Sequence, residues 1–172
     1  LATIRAVPWT EVLLVLAGFG LMSILISWPL LRDIDDVIAG GGGGGDPAGY
    51  AWDLWYNATH GLSFWGTTTQ EVVSAPFGRE SPSAVNATLF VTVGPGWVVA
   101  SLFGPVAAYN VLVLMGLTLS ASAMYLLIRW LGLGVAPAIW AGAAFMVFPY
   151  EQLRATVHIP LAQLWCFPLL IL

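Results

Sequence analysis

Apolar residues in this chain are gathered into long unbroken runs, not spread at the alternating spacing of a half-buried strand. Val12 to Leu31 is a run of 20 residues without a charge, bounded by Glu11 and Arg32. About 20 residues at a 1.5 Å rise cross a hydrocarbon core roughly 30 Å thick, so the run predicts a transmembrane helix over about 12–31. It is too long for the apolar region of a signal peptide, and no small-residue cleavage site follows it. Trp9 and Trp28 stand near its ends, where interfacial aromatics belong. No charge occurs between Glu80 and Arg129, and two apolar stretches share that interval. Leu89 to Phe103 is interrupted by Gly94-Pro95-Gly96, a helix breaker, and is read as a re-entrant or transmembrane helix over 89–103. Val106 to Ile128 is uninterrupted and is predicted to span. After a glycine-rich turn at Leu131 to Gly134, Val135 to Phe148 predicts a further span over about 135–150. Pro160 to Leu172 begins another.

Between the first and second apolar regions the pattern reverses. Arg32 to Pro82 holds seven of the nine acidic residues and most of the turn formers. Gly40 to Gly45 is six consecutive glycines, with no preference for helix or strand. Asp46-Pro47 then marks a turn or a helix start, since Asp suits the N-cap and Pro the first helical position. Tyr50 to Trp65 carries Tyr50, Trp52, Trp55, Tyr56, Phe64 and Trp65. Such a stretch suits a helix lying in the membrane interface and equally a helix packed on the transmembrane bundle.

Composition sharpens this picture. The chain is 59% hydrophobic and 8% charged, against about 25% charged in soluble domains. The fold class expected is therefore an all-α membrane protein: a polytopic transmembrane helix bundle with a long first extracytoplasmic loop, about 32–88, carrying interfacial helices. All five cations are arginine, and a net charge of −4 gives no sign of a nucleic-acid surface. One cysteine, Cys166, excludes an internal disulfide framework and a cysteine-only zinc site. The start at Leu1 and the end inside an apolar run are expected of the N-terminal part of a longer protein. Placing Arg5 and Arg129 in the cytoplasm puts the acidic loop and Pro149 to His158 together outside, provided that 89–103 does not span fully. If it does span, those two segments lie on opposite faces.

Two polar groups carry candidate chemistry. In the first loop, Asp33, Asp35 and Asp36 read as a solvated headgroup-level cluster. Asp46 sits between the glycine run and the aromatic surface. It serves either as a helix cap or as a general base toward a hydroxyl at the membrane surface. Asp53 follows two turns later on the same helical face if the helix begins at Pro47. In the second group, Glu151, Arg154 and His158 share one face if Pro149 to His158 is helical. An interfacial Arg-His pair is suited to phosphate, and a headgroup-contacting loop is the plainer reading. One histidine with distant carboxylates is not a metal signature. The glycine run lacks the Lys and Ser or Thr of a phosphate-binding loop.

Taken in order, these features resemble the N-terminal part of GT-C type polytopic membrane glycosyltransferases. Gly45-Asp46-Pro47 with Tyr50 is similar to the Asp-(Glu/Pro)-x-x-Tyr element of that family's first external loop. Ala75-Pro76-Phe77-Gly78 is similar to its Pro-x-Gly element. Leu102-Phe103-Gly104-Pro105-Val106-Ala107-Ala108-Tyr109-Asn110 looks like the start of its second core helix. Phe148-Pro149-Tyr150, Arg154 and His158 resemble the exit of the third. The resemblance covers nearly the whole chain. It departs where Pro47 replaces a second acid and where the glycine run is extended. It implies sugar transfer from a polyprenyl-phosphate sugar donor to an acceptor at the extracytoplasmic face. Asp46 would be the catalytic base, Arg154 and His158 the phosphate ligands, and Tyr50, Trp52 and Asp53 part of the substrate surface. It also implies membrane lipid as a partner and allows a divalent metal as cofactor. A reading of another class is a non-catalytic transporter, flippase or scaffold for lipid-linked sugars. The break at Gly94-Pro95-Gly96 favours it, and the lack of ionisable residues in the spans speaks against it.

Overall fold

A computed structural model describes residues 7–40, 46–61, 67–71, 73, 75–82 and 90–172. The fold is helical, with one short antiparallel ladder that the hydrophobic pattern does not signal. In chain order the elements are α1 (Trp9–Ile26), α2 (Asp46–His60), β1 (Thr67–Gln70), β2 (Arg79–Pro82), α3 (Phe90–Phe103), α4 (Pro105–Trp130), α5 (Val135–Met146), α6 (Pro149–Val157) and α7 (Cys166–Ile171). In the ladder Thr67 pairs with Pro82 and Gln70 with Arg79.

Helix α4 is the axis of the molecule. It packs against α1, α2, α3, α5, α6 and α7, and its buried residues run from Ala107 to Leu127 on all sides. A helix apolar all round belongs in an interior. Helix α1 is the opposite case: only Phe19 and Ser23 are buried, while Leu13, Leu14, Leu21 and Leu25 are exposed. These two helices are long and apolar enough to cross a membrane.

Two polar ties show that α1 and α4 run antiparallel. At one end, Arg129 Nε donates to Glu11 Oε1 at 2.7 Å, and Tyr125 donates its hydroxyl to the same oxygen at 2.5 Å. At the other end, Asn110 Nδ2 donates to the carbonyls of Ile34 and Val37, each at 2.7 Å. The Ala39 amide donates back to Asn110 Oδ1 at 2.9 Å. One buried amide thus satisfies three backbone groups of the turn that leaves α1, groups that would otherwise be costly to bury. Between the ties the helices approach closely. A Cβ on Gly142 of α5 would stand 2.6 Å from the Phe19 ring and 2.7 Å from the Ala121 carbonyl oxygen, so only glycine allows α1, α4 and α5 to meet there.

Prolines redraw several of the expected boundaries. The first helix ends at Ile26, not Leu31: its cap Ser27 leaves the helical geometry at φ −87° and ψ 5°, two residues before Pro29. The span expected over 135–150 stops at Met146. Phe148 is extended at ψ 133° ahead of Pro149, and the chain restarts as α6. The helix expected from Pro160 begins at Cys166, after a 3-10 turn at Ile159–Ala162. The expected break at Gly94-Pro95-Gly96 is absent: α3 runs through Pro95. A proline inside a helix removes one backbone hydrogen bond and crowds the carbonyl four residues before it, and the helix that carries Pro95 packs on α2 and α4. At 14 and 12 residues, α3 and α5 extend roughly 21 and 18 Å, short of a 30 Å crossing.

Candidate functional site

The end of the bundle marked by Asn110 collects the polar chemistry. The turn after α1 reaches it first. Gly40, at φ 85°, lies against α6 so closely that a Cβ would stand 2.1 Å from the Thr156 carbonyl oxygen. Only glycine adopts that conformation in that space. Beside it a cavity of about 340 Å³ opens among Asp33, Ile38, Val113, Leu117, Gln152 and Thr156.

Helix α2 begins at Asp46, and α6 ends at Val157, so that His158 stands at its C-terminal cap. The two meet: His158 Nε2 lies 2.9 Å from Asp46 Oδ2. The Asp46 side chain is 52% exposed and His158 31%, so the carboxylate is open to solvent while the imidazole is mostly enclosed. The Tyr50 ring, one turn after Asp46, meets the His158 ring edge-on at 6.2 Å. Burial first, then the charges of Asp46 and Asp53, push the Tyr50 phenol above its ordinary value and keep it neutral.

The other candidate residues fall into different places. Asp53 Oδ1 accepts from Gln70 Nε2 at 3.3 Å, and Trp52 Nε1 donates to Gln70 Oε1 at 3.3 Å. Both therefore anchor α2 to the ladder. Arg154 lies with its guanidinium carbon 5.2 Å from the centre of the Tyr150 ring. Among the described residues it forms no ion pair, and its buried Nε has no hydrogen-bond partner. His158, expected beside Arg154 as a phosphate ligand, turns its Nε2 to Asp46, while its Nδ1 has no hydrogen-bond partner among the described residues. The glycines 41–45, Phe64, Trp65 and the stretch 83–89 lie outside the described residues.

Two residues of this region, Asn110 and Tyr109, escape a reading of sequence alone, and a third, Glu151, is enclosed where its spacing gave no sign of it. Asn110 is a polar residue in an apolar run, a signal that an amide is needed inside. Tyr109 beside it is fully buried, and among the described residues its hydroxyl has no partner. Glu151 is fully buried on α6, with neither carboxylate oxygen in a hydrogen bond among the described residues. Burial pushes its carboxyl up to about 7, and the neighbouring Ser120 hydroxyl offsets part of that rise. Glu151 therefore faces the core, not the face of Asp46 and His158.

A divalent ion finds a poor fit at this end. Among the described residues no three His, Cys, Asp or Glu side chains converge. Asp46 with His158 supplies two protein ligands where a structural or catalytic site uses three or more. No protein-family model matches the chain, and neither a curated protein nor a solved structure matches it.

Proposed function

We propose that the chain is part of a membrane glycosyltransferase of GT-C type, acting where α2 and α6 meet. The observation that carries this reading is the Asp46–His158 pair, a half-exposed carboxylate held at 2.9 Å by a mostly enclosed imidazole. A carboxylate fixed in this way is oriented as a general base. Asp46 Oδ2 is engaged by the imidazole, and Oδ1 would take the acceptor hydroxyl. The acceptor proton passes to Asp46 as its oxygen attacks the anomeric carbon. The bond from that carbon to the phosphate oxygen breaks, polyprenyl phosphate leaves with the bonding pair, and the sugar configuration inverts. Arg154, free of any ion pair among the described residues, would take the phosphate. The apolar exterior of α1 suits hydrocarbon, in keeping with a multi-pass protein of a bacterial or archaeal cell membrane.

The test is sugar transfer in membranes holding the protein and supplied with polyprenyl-phosphate sugars. Asp46→Asn is expected to lose transfer by at least about 100-fold at unchanged expression, the range for removing a general base. Equal transfer by both proteins would take Asp46 out of the chemistry.

A second reading, a non-catalytic carrier or scaffold for lipid-linked sugars, draws on Glu151. A fully buried carboxyl without a partner is what a transport pathway often contains. Loss of sugar-lipid movement in Glu151→Gln, with no transfer in any variant, would put that reading ahead.

A further inference from the structure

We propose that the cavity between the turn after α1 and helix α6 is a binding site for a small primary amine with a hydrocarbon body, and that Asp33 holds the ammonium group. The inference goes beyond the transferase reading and does not depend on it.

The cavity joins three parts of the fold. Ser27 and Asp33 come from the end of α1 and the 3-10 turn Leu30–Asp33, Val113 and Leu117 from α4, and Gln152 and Thr156 from α6. Its volume of about 340 Å³ lies at the small end of the range for ligand sites, on the order of 300–1,000 Å³. The wall that carries Asp33 is fixed. The amides of Asp36 and Val37 donate to the Asp33 carbonyl at 3.2 and 2.9 Å, and Asn110 clasps the same turn at Ile34, Val37 and Ala39. Gly40 then closes the turn onto Thr156, where no Cβ fits. Sequence reads Asp33 with Asp35 and Asp36 as one solvated cluster. The structure separates them: Asp35 and Asp36 are exposed, while Asp33 is half-buried at the cavity.

The polar groups of the wall choose the ligand. Among the described residues the Asp33 carboxylate has neither a hydrogen bond nor an ion pair. Gln152 spends its Nε2 on the Met146 carbonyl at 2.7 Å, and the Thr156 hydroxyl donates to the carbonyls of Gln152 and Leu153. What these side chains still offer is oxygen: Gln152 Oε1, Thr156 Oγ1 and the two carboxylate oxygens of Asp33. An ammonium brings three donors and a positive charge and accepts nothing, which matches acceptors gathered around one carboxylate. No Lys, Arg or His lines the cavity among the described residues, so an anionic ligand would meet Asp33 without a counter-charge. The rest of the wall, with Leu30, Ile38, Val113 and Leu117, is hydrocarbon. It suits an apolar body. A sugar ring would set hydroxyls against it without partners, and a bare metal ion makes no use of it.

The test is calorimetric titration of the protein in lipid nanodiscs, with titration into empty nanodiscs subtracted to remove partition into lipid. Three probes share one ring: cyclohexylammonium, cyclohexanol and cyclohexanecarboxylate. The parent protein is expected to bind the ammonium at least about tenfold tighter than the alcohol, the worth of one charge-assisted hydrogen bond, and to show no binding of the carboxylate. Asp33→Asn is expected to bring the ammonium down to the level of the alcohol. Its thermal unfolding midpoint should equal the parent's, since the carboxylate has no partner to lose. Ser27→Leu, which puts a larger side chain at the cavity wall, is expected to weaken ammonium and alcohol together. Equal affinity for ammonium and alcohol in the parent, no ammonium binding at all, or ammonium binding unchanged in Asp33→Asn would overturn the proposal. If Asp33→Asn lowers the midpoint, Ser27→Leu decides: the proposal stands if that variant loses the ammonium and falls if it keeps it. A parent protein that binds the ammonium but transfers no sugar keeps this site and loses the transferase reading.

Discussion

Asp46 and Glu151 are both carboxylates, and their surroundings are opposite. Asp46 is half exposed and paired with His158, whereas Glu151 is fully buried without a partner among the described residues. The Glu151 carboxyl is pushed from 4.5 to about 7 by burial. The folded state therefore favours the protonated form. Below about pH 4.5 both folded and unfolded states carry the proton, and burial costs nothing through ionisation. As pH rises from 4.5 to 7 the unfolded state ionises first and stability falls; above about 7 the loss is complete. At 1.36 kcal/mol per unit the loss is roughly 3 kcal/mol at most. Thermal unfolding in detergent is expected to show a midpoint that declines over this interval in the parent protein. Glu151→Gln should flatten the decline. Sequence places Glu151 with Arg154 and His158 at helical spacing, but spacing cannot say which side of the face is enclosed. That depends on Ser120 and the small residues of α4, which only the packing brings near.

At the scale of elements, runs of apolar residues locate α1 and α4, because a long uncharged run has few other uses. Boundaries fall near single prolines: α1 stops shortly before Pro29 and α5 before Pro149, where hydrophobicity alone would continue, while α3 runs through Pro95. The ladder of β1 and β2 is illegible, since four-residue strands of polar residues carry no alternation of apolar side chains. The element most exposed to a single change is the turn after α1. Asn110→Ala would leave the Ile34 and Val37 carbonyls and the Ala39 amide without their partner. A loss of about 2–4 kcal/mol is expected, read as a lower unfolding midpoint. Helix α1 meets α4 and α5 through Gly142, where no Cβ fits. Gly142→Leu is expected to separate these helices and reduce the yield of folded protein in membranes.

For the molecule as a whole, the two ties between α1 and α4 set which segments share an end. Glu11, Tyr125 and Arg129 mark one end; Asn110, the turn after α1, Asp46 and His158 mark the other. Cysteine labelling in a Cys166→Ala background tests this. Asp46→Cys and His158→Cys should react from the same side of the membrane, and Leu131→Cys, in the turn between α4 and α5, from the opposite side. Labelling of 46 and 158 from different sides would separate the pair. The meeting of Asp46 with His158 was not legible in sequence, because it joins the start of one helix to the end of another far along the chain. Sequence supplied the residues; the antiparallel course of α1 and α4 and the turn at Phe148 supplied the encounter. The Asn110 tie also has a consequence for biosynthesis. A ribosome releases the turn at 34–39 long before it makes Asn110, and Asp46 long before His158. The turn stays unfastened until α4 has been made, and the carboxylate has no imidazole beside it until α6 follows. Through most of its synthesis the nascent chain therefore lacks the pair, and acquires it only when the helices that enclose it have already been made.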